Sequence, residues 1–290
     1  MRRNVWQSAI LLQTMLLDKF KISGKTVLIT GGAGLLGQKH AEAVIEGQGI
    51  PVLLDISEGA LERAENRLKD NYPKAEICTY QVDITSRGAL EDVKSKVLEK
   101  YGHIDVLINN AANNPKVEDK GENFSNIRFD NFPLETWNED ILVGLTGAFL
   151  CAQVFGTEME RQRSGVILNI SSDLGIIAPD QRIYRKDGLD ELDQTIKPVT
   201  YSVIKHGLLG LTKYLATYWA DKNIRVNAIC PGGIYNGQEK EFLDKLTNLI
   251  PMGRMADKDE YKATVLYLIS EASSYMTGST VIVDGGRTCW

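Results

Sequence analysis

Seven apolar runs of strand length alternate along this chain with longer stretches in which apolar residues recur at helical spacing. The runs cover residues 26–30, 51–55, 76–82, 104–109, 165–170, 224–229 and 280–284. The helical stretches cover 38–46, 59–71, 87–101, 134–161, 201–221 and 258–270. Several runs are apolar throughout (Val27-Leu28-Ile29, Val52-Leu53-Leu54, Val106-Leu107-Ile108), as expected of strands buried on both faces. Such strands alternating with helices predict repeated βαβ units and a parallel sheet. Right-handed crossovers then place helices on both sides of it, a doubly wound α/β/α sandwich. No linker, repeat or low-complexity segment divides the chain, so residues 21–290 read as one domain behind an N-terminal extension, 1–20.

Two polar stretches break the alternation. Residues 113–131 carry Pro115 and Gly121, and residues 175–199 carry Arg182, Arg185, Lys186 and Pro198. Irregular segments this long are uncommon unless they cover or bind something. The basic residues of the second stretch have two readings, contacts to an anionic substrate group or solvated loop charges.

Composition narrows the picture. Of 290 residues, 43% are hydrophobic and 24% charged, and the net charge of −5 is scattered without a basic stripe, which argues against nucleic acid as a partner. Cys78, Cys151, Cys230 and Cys289 lack metal-ligand spacing and read as reduced thiols, with no metal expected. Arg2 and Arg3 precede a short apolar run, but Gln13 interrupts it and no cleavage site follows. The extension reads as an amphipathic arm, or as residues ahead of a true start at Met15, rather than an export signal. No run approaches the roughly 18 apolar residues of a membrane span. A cytoplasmic protein without a membrane partner is expected.

The first strand runs into Thr30-Gly31-Gly32-Ala33-Gly34-Leu35-Leu36-Gly37 and then a helix. Gly31 permits a tight turn, Gly34 lets the backbone approach a pyrophosphate at the helix N-terminus, and Gly37 allows close packing of helix on strand. Asp55 closes the second strand 18 residues beyond Gly37, with Ile56 after it. A carboxylate there accepts hydrogen bonds from ribose hydroxyls and repels a 2′-phosphate, or else simply caps a loop; NAD is expected rather than NADP. Asp83-Ile84 and Asn109-Asn110-Ala111-Ala112 end the third and fourth strands at the same edge, where open α/β sheets bind ligands. Asp83 suits an adenine amino group, while Ala111 and Ala112 leave room.

Tyr201 and Lys205 sit four residues apart at the start of a helix, so phenol and ammonium share a face. A free tyrosine titrates near about 10. Lys205 and an oxidised nicotinamide are both expected to favour the phenolate and lower that value. Ser172, ending the fifth strand, suits a hydrogen bond to the substrate oxygen, with Ser171 the neighbouring candidate. A second Tyr-x-x-x-Lys, Tyr218 to Lys222, closes the same helix far from this edge and is read as coincidence. Tyr184 is at most a substrate contact.

Together with Arg225-Val226-Asn227, Pro231-Gly232-Gly233-Ile234 and Val283-Asp284-Gly285-Gly286, these residues make the chain resemble the short-chain dehydrogenase/reductase family from Lys25 onward. The resemblance implies a Rossmann-like, seven-stranded sheet and an acid–base tyrosine. It also implies that Lys205 binds the nicotinamide ribose, that Pro231, Gly232 and Ile234 line the nicotinamide, and that the protein is a homo-tetramer or homo-dimer. The glycine spacing and the segments around 175–179, 197–201 and 211–216 are similar to the flagellin modification protein A group of bacterial oxidoreductases. That similarity implies a small-molecule substrate such as a sugar phosphate or nucleotide sugar of surface-glycan biosynthesis.

Three features depart from the family pattern. Gly31, Gly34 and Gly37 are spaced as in the extended, sugar-nucleotide-modifying branch, which keeps an epimerase or dehydratase with transient oxidation in view. Gly144 stands where the family often has an Asn that holds a relay water, which keeps in view an NAD-binding scaffold without turnover. The separation from Ser172 to Tyr201 is far longer than usual.

Overall fold

Val27, Leu28 and Ile29 are fully buried from both sides, and the sheet is built outward from them. The computed structural model describes residues 16–113 and 128–290. Its strands are β1 (Thr26–Thr30), β2 (Ile50–Asp55), β3 (Cys78–Gln81), β4 (Val106–Asn109), β5 (Gly165–Ile170), β6 (Ile224–Pro231) and β7 (Thr280–Val283). They form one sheet in the order β3-β2-β1-β4-β5-β6-β7, with every pair parallel. This is the expected Rossmann-like, seven-stranded arrangement. Its order reverses between β1 and β4, and the crevice at such a reversal is where ligands of open sheets bind.

The helices are α1 (Leu35–Glu46), α2 (Glu58–Asn71), α3 (Arg87–Tyr101), α4 (Leu134–Ile141), α5 (Gly147–Gln162), α6 (Val199–Tyr218), α7 (Lys240–Thr247) and α8 (Lys262–Ile269). Two apolar layers result. Phe155, Met159, Leu90 and Trp219 pack on one face of the sheet, and Leu61, Leu68, Tyr261 and Leu268 on the other. Ser57 and Ser86 start α2 and α3 by accepting from Ala60 N and Ala89 N. Residues 134–162, long and apolar enough to cross a membrane, are instead half-buried in this core, and α5 buries Cys151, Ala152, Val154, Phe155 and Met159.

The expected strand at 104–109 begins only at Val106. Asp105 uses its carboxylate to accept from Thr26 N (2.8 Å) and Lys25 Nζ (3.1 Å) while its backbone still bonds Thr26 O and Val166 N, and Ile104 spends both of its backbone groups on the Gln162 side chain. The expected helix at 134–161 contains a π-helical segment, Leu142–Thr146. The short α7 lies in a region given no element from sequence. Residues 1–15 and most of the stretch 113–131 lie outside the described residues. The last residues of the expected extension dock on the body: Lys19 O accepts from Ala272 N, and Phe20 meets Tyr267 at 6.3 Å between ring centroids.

Candidate active site

The carboxyl ends of β1, β2, β4, β5 and β6 open into one cavity of about 720 Å³, within the range typical of ligand sites. Of the residues expected to hold a cofactor, Gly31, Gly34, Leu35, Leu36, Asp55, Ile56, Asp83, Ile84, Asn110, Ala111, Ala112, Pro231, Gly232 and Ile234 all line it, as do Ser172, Tyr201 and Lys205. Gly37 does not. A Cβ there would lie 2.2 Å from Gly31 O and 2.8 Å from Gly32 Cα, so Gly37 packs the helix against the turn itself rather than against a strand or ligand.

The turn is cross-braced from neighbouring strands. Gly31 has φ +61°, and Asn110 Nδ2 donates to Thr30 O (3.0 Å) and Gly31 O (3.1 Å). Asp55 Oδ2 accepts from Ala33 N (3.1 Å) and its Oδ1 from Ser57 N (3.2 Å), so Asp55 caps this turn while also facing the cavity. Unlike α2 and α3, α1 has no side-chain cap: its N-cap is Gly34, and no acid lies in its first turn. Uncapped amides at the positive end of a helix dipole fit a pyrophosphate. Among the described residues, the Lys and Arg that line the cavity (Arg185, Lys186, Lys197, Lys205, Lys245 and Arg287) all come from segments other than those that end β2 and β3.

At the other end, α6 is pinned to β5. Lys205 Nζ donates to Ile170 O (2.9 Å), and Ser171 Oγ donates to Lys205 O (2.8 Å). Ser171 is therefore committed to the backbone, which leaves Ser172 as the serine beside Tyr201. Ser172 Oγ donates to Asp173 Oδ1 (2.7 Å) and accepts from Leu174 N (3.2 Å). Burial pushes the Tyr201 phenol above its ordinary value, a hydrogen bond with Ser172 pulls it down, and Asp173 pushes it up, with a net rise. The expected lowering by Lys205 is not what the protein's own groups produce. That ammonium is held on Ile170 O, 5.6 Å from the Tyr201 ring centroid, and is itself brought down to about 8 by burial and by Lys197.

Three site residues were not singled out from sequence. Asp173 and Arg287 form a buried ion pair (2.8 Å) on the cavity wall. Lys197 Nζ lies 3.9 Å from the Tyr201 ring centroid. Lys197 and Asp173 are contiguous with recognised segments, yet no spacing rule points to either, and Arg287 reaches the site only because β7 is the last strand of the sheet. Conversely, the basic residues expected to meet an anion are already paired: Arg182 with Asp180, Arg185 with Glu191 and Lys186 with Glu239. Arg182 is also off the cavity wall. Tyr184 lines the cavity against Phe242. Tyr218 is exposed and stacked on Tyr214, away from the site, as expected of a coincidental motif.

Gly144 lies in the π-helical segment facing α6. A Cβ there would lie 2.8 Å from Ile204 Cγ2 and 2.9 Å from Ile204 Cδ1, so Ile204 occupies the space that a side chain at 144 would need. Such segments recur at functional sites.

Comparison with known proteins agrees with this geometry. The family model described as short chain dehydrogenase matches residues 25–184, and one described as Enoyl-(Acyl carrier protein) reductase matches 193–288. The chain is 29% identical to the post-translational flagellin modification protein A of Campylobacter coli, over 91% of this chain and 98% of that protein. It is 33% identical to an NAD-dependent glycerol dehydrogenase of Listeria innocua, over 93% and 96%. A gluconate 5-dehydrogenase from Burkholderia cenocepacia, solved with NADP and tartrate, superposes with TM-score 0.80 at 26% identity, over 94% of this chain and 99% of that one.

Proposed function

Since the chain belongs to the short-chain dehydrogenase/reductase family and is an oxidoreductase acting on CH–OH groups, we propose that it moves hydride between NAD and a carbinol or carbonyl carbon of a small sugar-derived substrate. One observation carries this reading: a single cavity joins the glycine turn and Asp55 to Ser172, Tyr201 and Lys205. When bound, the nicotinamide supplies the hydride acceptor or donor.

The chain's own residues do the rest. Tyr201 takes the proton from the carbinol oxygen in oxidation and returns it in reduction. Ser172 holds that oxygen beside the phenol. Lys205, fixed on Ile170 O, keeps a cation behind Tyr201 and would bind the nicotinamide ribose. Asp55 supports NAD over NADP, because a 2′-phosphate at the end of β2 would meet a carboxylate, and among the described residues the segments that end β2 and β3 bring no Lys or Arg to the cavity wall. Pro231, Gly232 and Ile234 line the same cavity and would wall the nicotinamide. The likeness to flagellin modification protein A supports a sugar phosphate or nucleotide sugar from surface-glycan biosynthesis as substrate.

The test is titration of the purified protein with NAD(H) and NADP(H), followed by an absorbance screen for NADH formation on sugar phosphates, nucleotide sugars and polyols. NAD-selective binding with turnover is expected. Product without net NADH would replace this reading with transient oxidation, and binding without turnover across the panel would replace it with a scaffold.

A further inference from the structure

Tyr184 is brought to the cavity by the segment between Ser172 and Tyr201, and both of its flanks are fixed. It closes a short 3₁₀ turn, Gln181–Tyr184, that Asp180 starts by accepting from Arg182 N (3.0 Å). Before it, Ile183 is buried against Leu246 and Ile250. After it, Arg185 O accepts from Lys245 Nζ (2.6 Å) on α7. The ring itself lies against Phe242, 5.5 Å between centroids, and lines the cavity. Burial pushes the phenol up to about 12, Arg287 pulls it down, and Asp173 and Tyr201 push it up, so it lies within electrostatic reach of the reacting groups and of the buried ion pair.

Arg287 is held as firmly from the end of the chain. Asp284 braces its turn by accepting from Gly286 N and Thr288 N (both 2.8 Å). The side chain is 6% exposed, lines the cavity, and donates from Nη1 to Asp173 Oδ2. Asp173 is engaged at both oxygens, since its Oδ1 accepts from Ser172 Oγ and from Leu174 N (2.8 Å). Arg287 is not used up in the same way, because a guanidinium carries more N–H donors than one carboxylate oxygen accepts. Among the described residues, Asp173 is the one acceptor on that guanidinium, and the Tyr184 hydroxyl makes no hydrogen bond. Polar groups left open on the wall of a ligand cavity call for an oxygen from the ligand.

Resting on the oxidoreductase reading above, we propose that Tyr184 and Arg287 form a second oxygen site, which takes a hydroxyl on the carbon next to the one that reacts. The reacting carbinol belongs to Ser172 and Tyr201. Ser172 is bonded to Asp173, and Asp173 to Arg287, so the two sites are one ion pair apart. A hydroxyl suits both groups of the second site: its oxygen accepts from the guanidinium, and its proton goes to the phenol oxygen. A carboxylate suits it less. The Arg287 charge is already balanced by Asp173, and a second carboxylate there would be repelled by the first. The substrate class is then a vicinal diol, as in a polyol or a sugar, rather than a simple alcohol or a 2-hydroxy acid.

The experiment is an NMR titration of butane-2,3-diol, butan-2-ol and 2-hydroxybutanoate against the full chain with NADH bound. The diol is expected to bind about three- to tenfold more tightly than the alcohol, the effect of one or two added hydrogen bonds, and more tightly than the acid. Tyr184→Phe keeps the ring on Phe242 and should abolish the diol-over-alcohol preference. Arg287→Lys keeps a cation for Asp173 without the planar fork and should lower the same preference. Equal affinity for diol and alcohol in the wild type, a more tightly bound acid, or a Tyr184→Phe protein with the wild-type preference would overturn the proposal. A Tyr184-dependent preference for the diol, without hydride transfer to or from any alcohol or ketone, would instead overturn the oxidoreductase reading and leave the oxygen site standing.

Discussion

The Ser172 hydroxyl donates to the carboxylate of the next residue, Asp173, at 2.7 Å. The other oxygen of that carboxylate accepts from Arg287 Nη1 at 2.8 Å. A serine beside the reacting atoms is thereby aimed by an ion pair whose second member comes from the far end of the chain. Removing either partner leaves an uncompensated buried charge. Asp173→Asn and Arg287→Met should each cost about 3–5 kcal/mol of stability, read by denaturant unfolding. The double variant should cost less than the sum. Additive losses would show that the pair is not the unit described here.

Tyr201→Phe removes the hydroxyl while keeping the ring under Lys197 and Lys205. Turnover should fall by about 10²–10⁴-fold, with NADH affinity by fluorescence close to wild type. Wild-type turnover in this variant would remove Tyr201 from the mechanism.

Asp55→Asn keeps the shape of the β2 terminus and an oxygen for Ala33 N. It removes the charge that disfavours a 2′-phosphate and weakens acceptance from ribose hydroxyls. A charge-assisted hydrogen bond contributes about 1.5–3 kcal/mol. The NAD-over-NADP ratio should therefore shrink by about tenfold or more in paired binding titrations. An unchanged ratio would reduce Asp55 to its capping role.

Lys197 and Lys205 titrate near 8 in the folded protein, against an ordinary value of 10.5. Between those values the unfolded chain binds more protons than the folded one, so these residues make stability rise with pH through that window. Below about 8 both lysines are charged in either state and the slope from them vanishes. Thermal melts of wild type, Lys197→Met and Lys205→Met from pH 7 to 10 should show a flatter rise in each variant. Parallel curves would contradict the burial assigned to these ammonium groups.

Gly144→Asn restores the side chain usual in the family but drives a Cβ to 2.8 Å from Ile204 Cγ2. Overpacking of this kind costs about 1–3 kcal/mol. The single variant should lose stability without gaining turnover, and Ile204→Ala in the same chain should restore the stability. A Gly144→Asn protein as stable as wild type would show that Ile204 yields freely.

The sheet was legible because its central strands are apolar on both faces, and Thr26–Thr30 and Gly165–Ile170 end where their runs end. The cofactor end was legible for a related reason: a turn with φ +61° at Gly31 and a carboxylate at the end of β2 leave marks that spacing can find. The Gln162 side chain that takes both backbone groups of Ile104, and the Asp105 carboxylate that takes Thr26 N, are invisible to periodicity, which is why β4 was read two residues too long. Helix α7, with charges at Lys240, Glu241, Asp244 and Lys245, resembled the loops around it. Lys197 and Arg287 belong to no spacing rule, since tertiary folding alone brings them to Tyr201 and Ser172.

Helix α6 is fastened at three heights. Thr200 Oγ1 donates to Asp140 Oδ2 (2.6 Å), Lys205 is held at both its carbonyl and its ammonium, and Thr212 Oγ1 accepts from Asn169 Nδ2 (2.8 Å). The position of Tyr201 relative to Ser172 is therefore set by anchors on β5 and α4 and by Asp173, and not by the middle of the chain that joins them. Lengthening that connection carries only a slowly growing closure entropy. The middle of that segment, beyond Asp173 and Gly175, can thus be lengthened, shortened or exchanged while the reacting groups keep their places, so the choice of substrate can change as a cassette without retiming the chemistry.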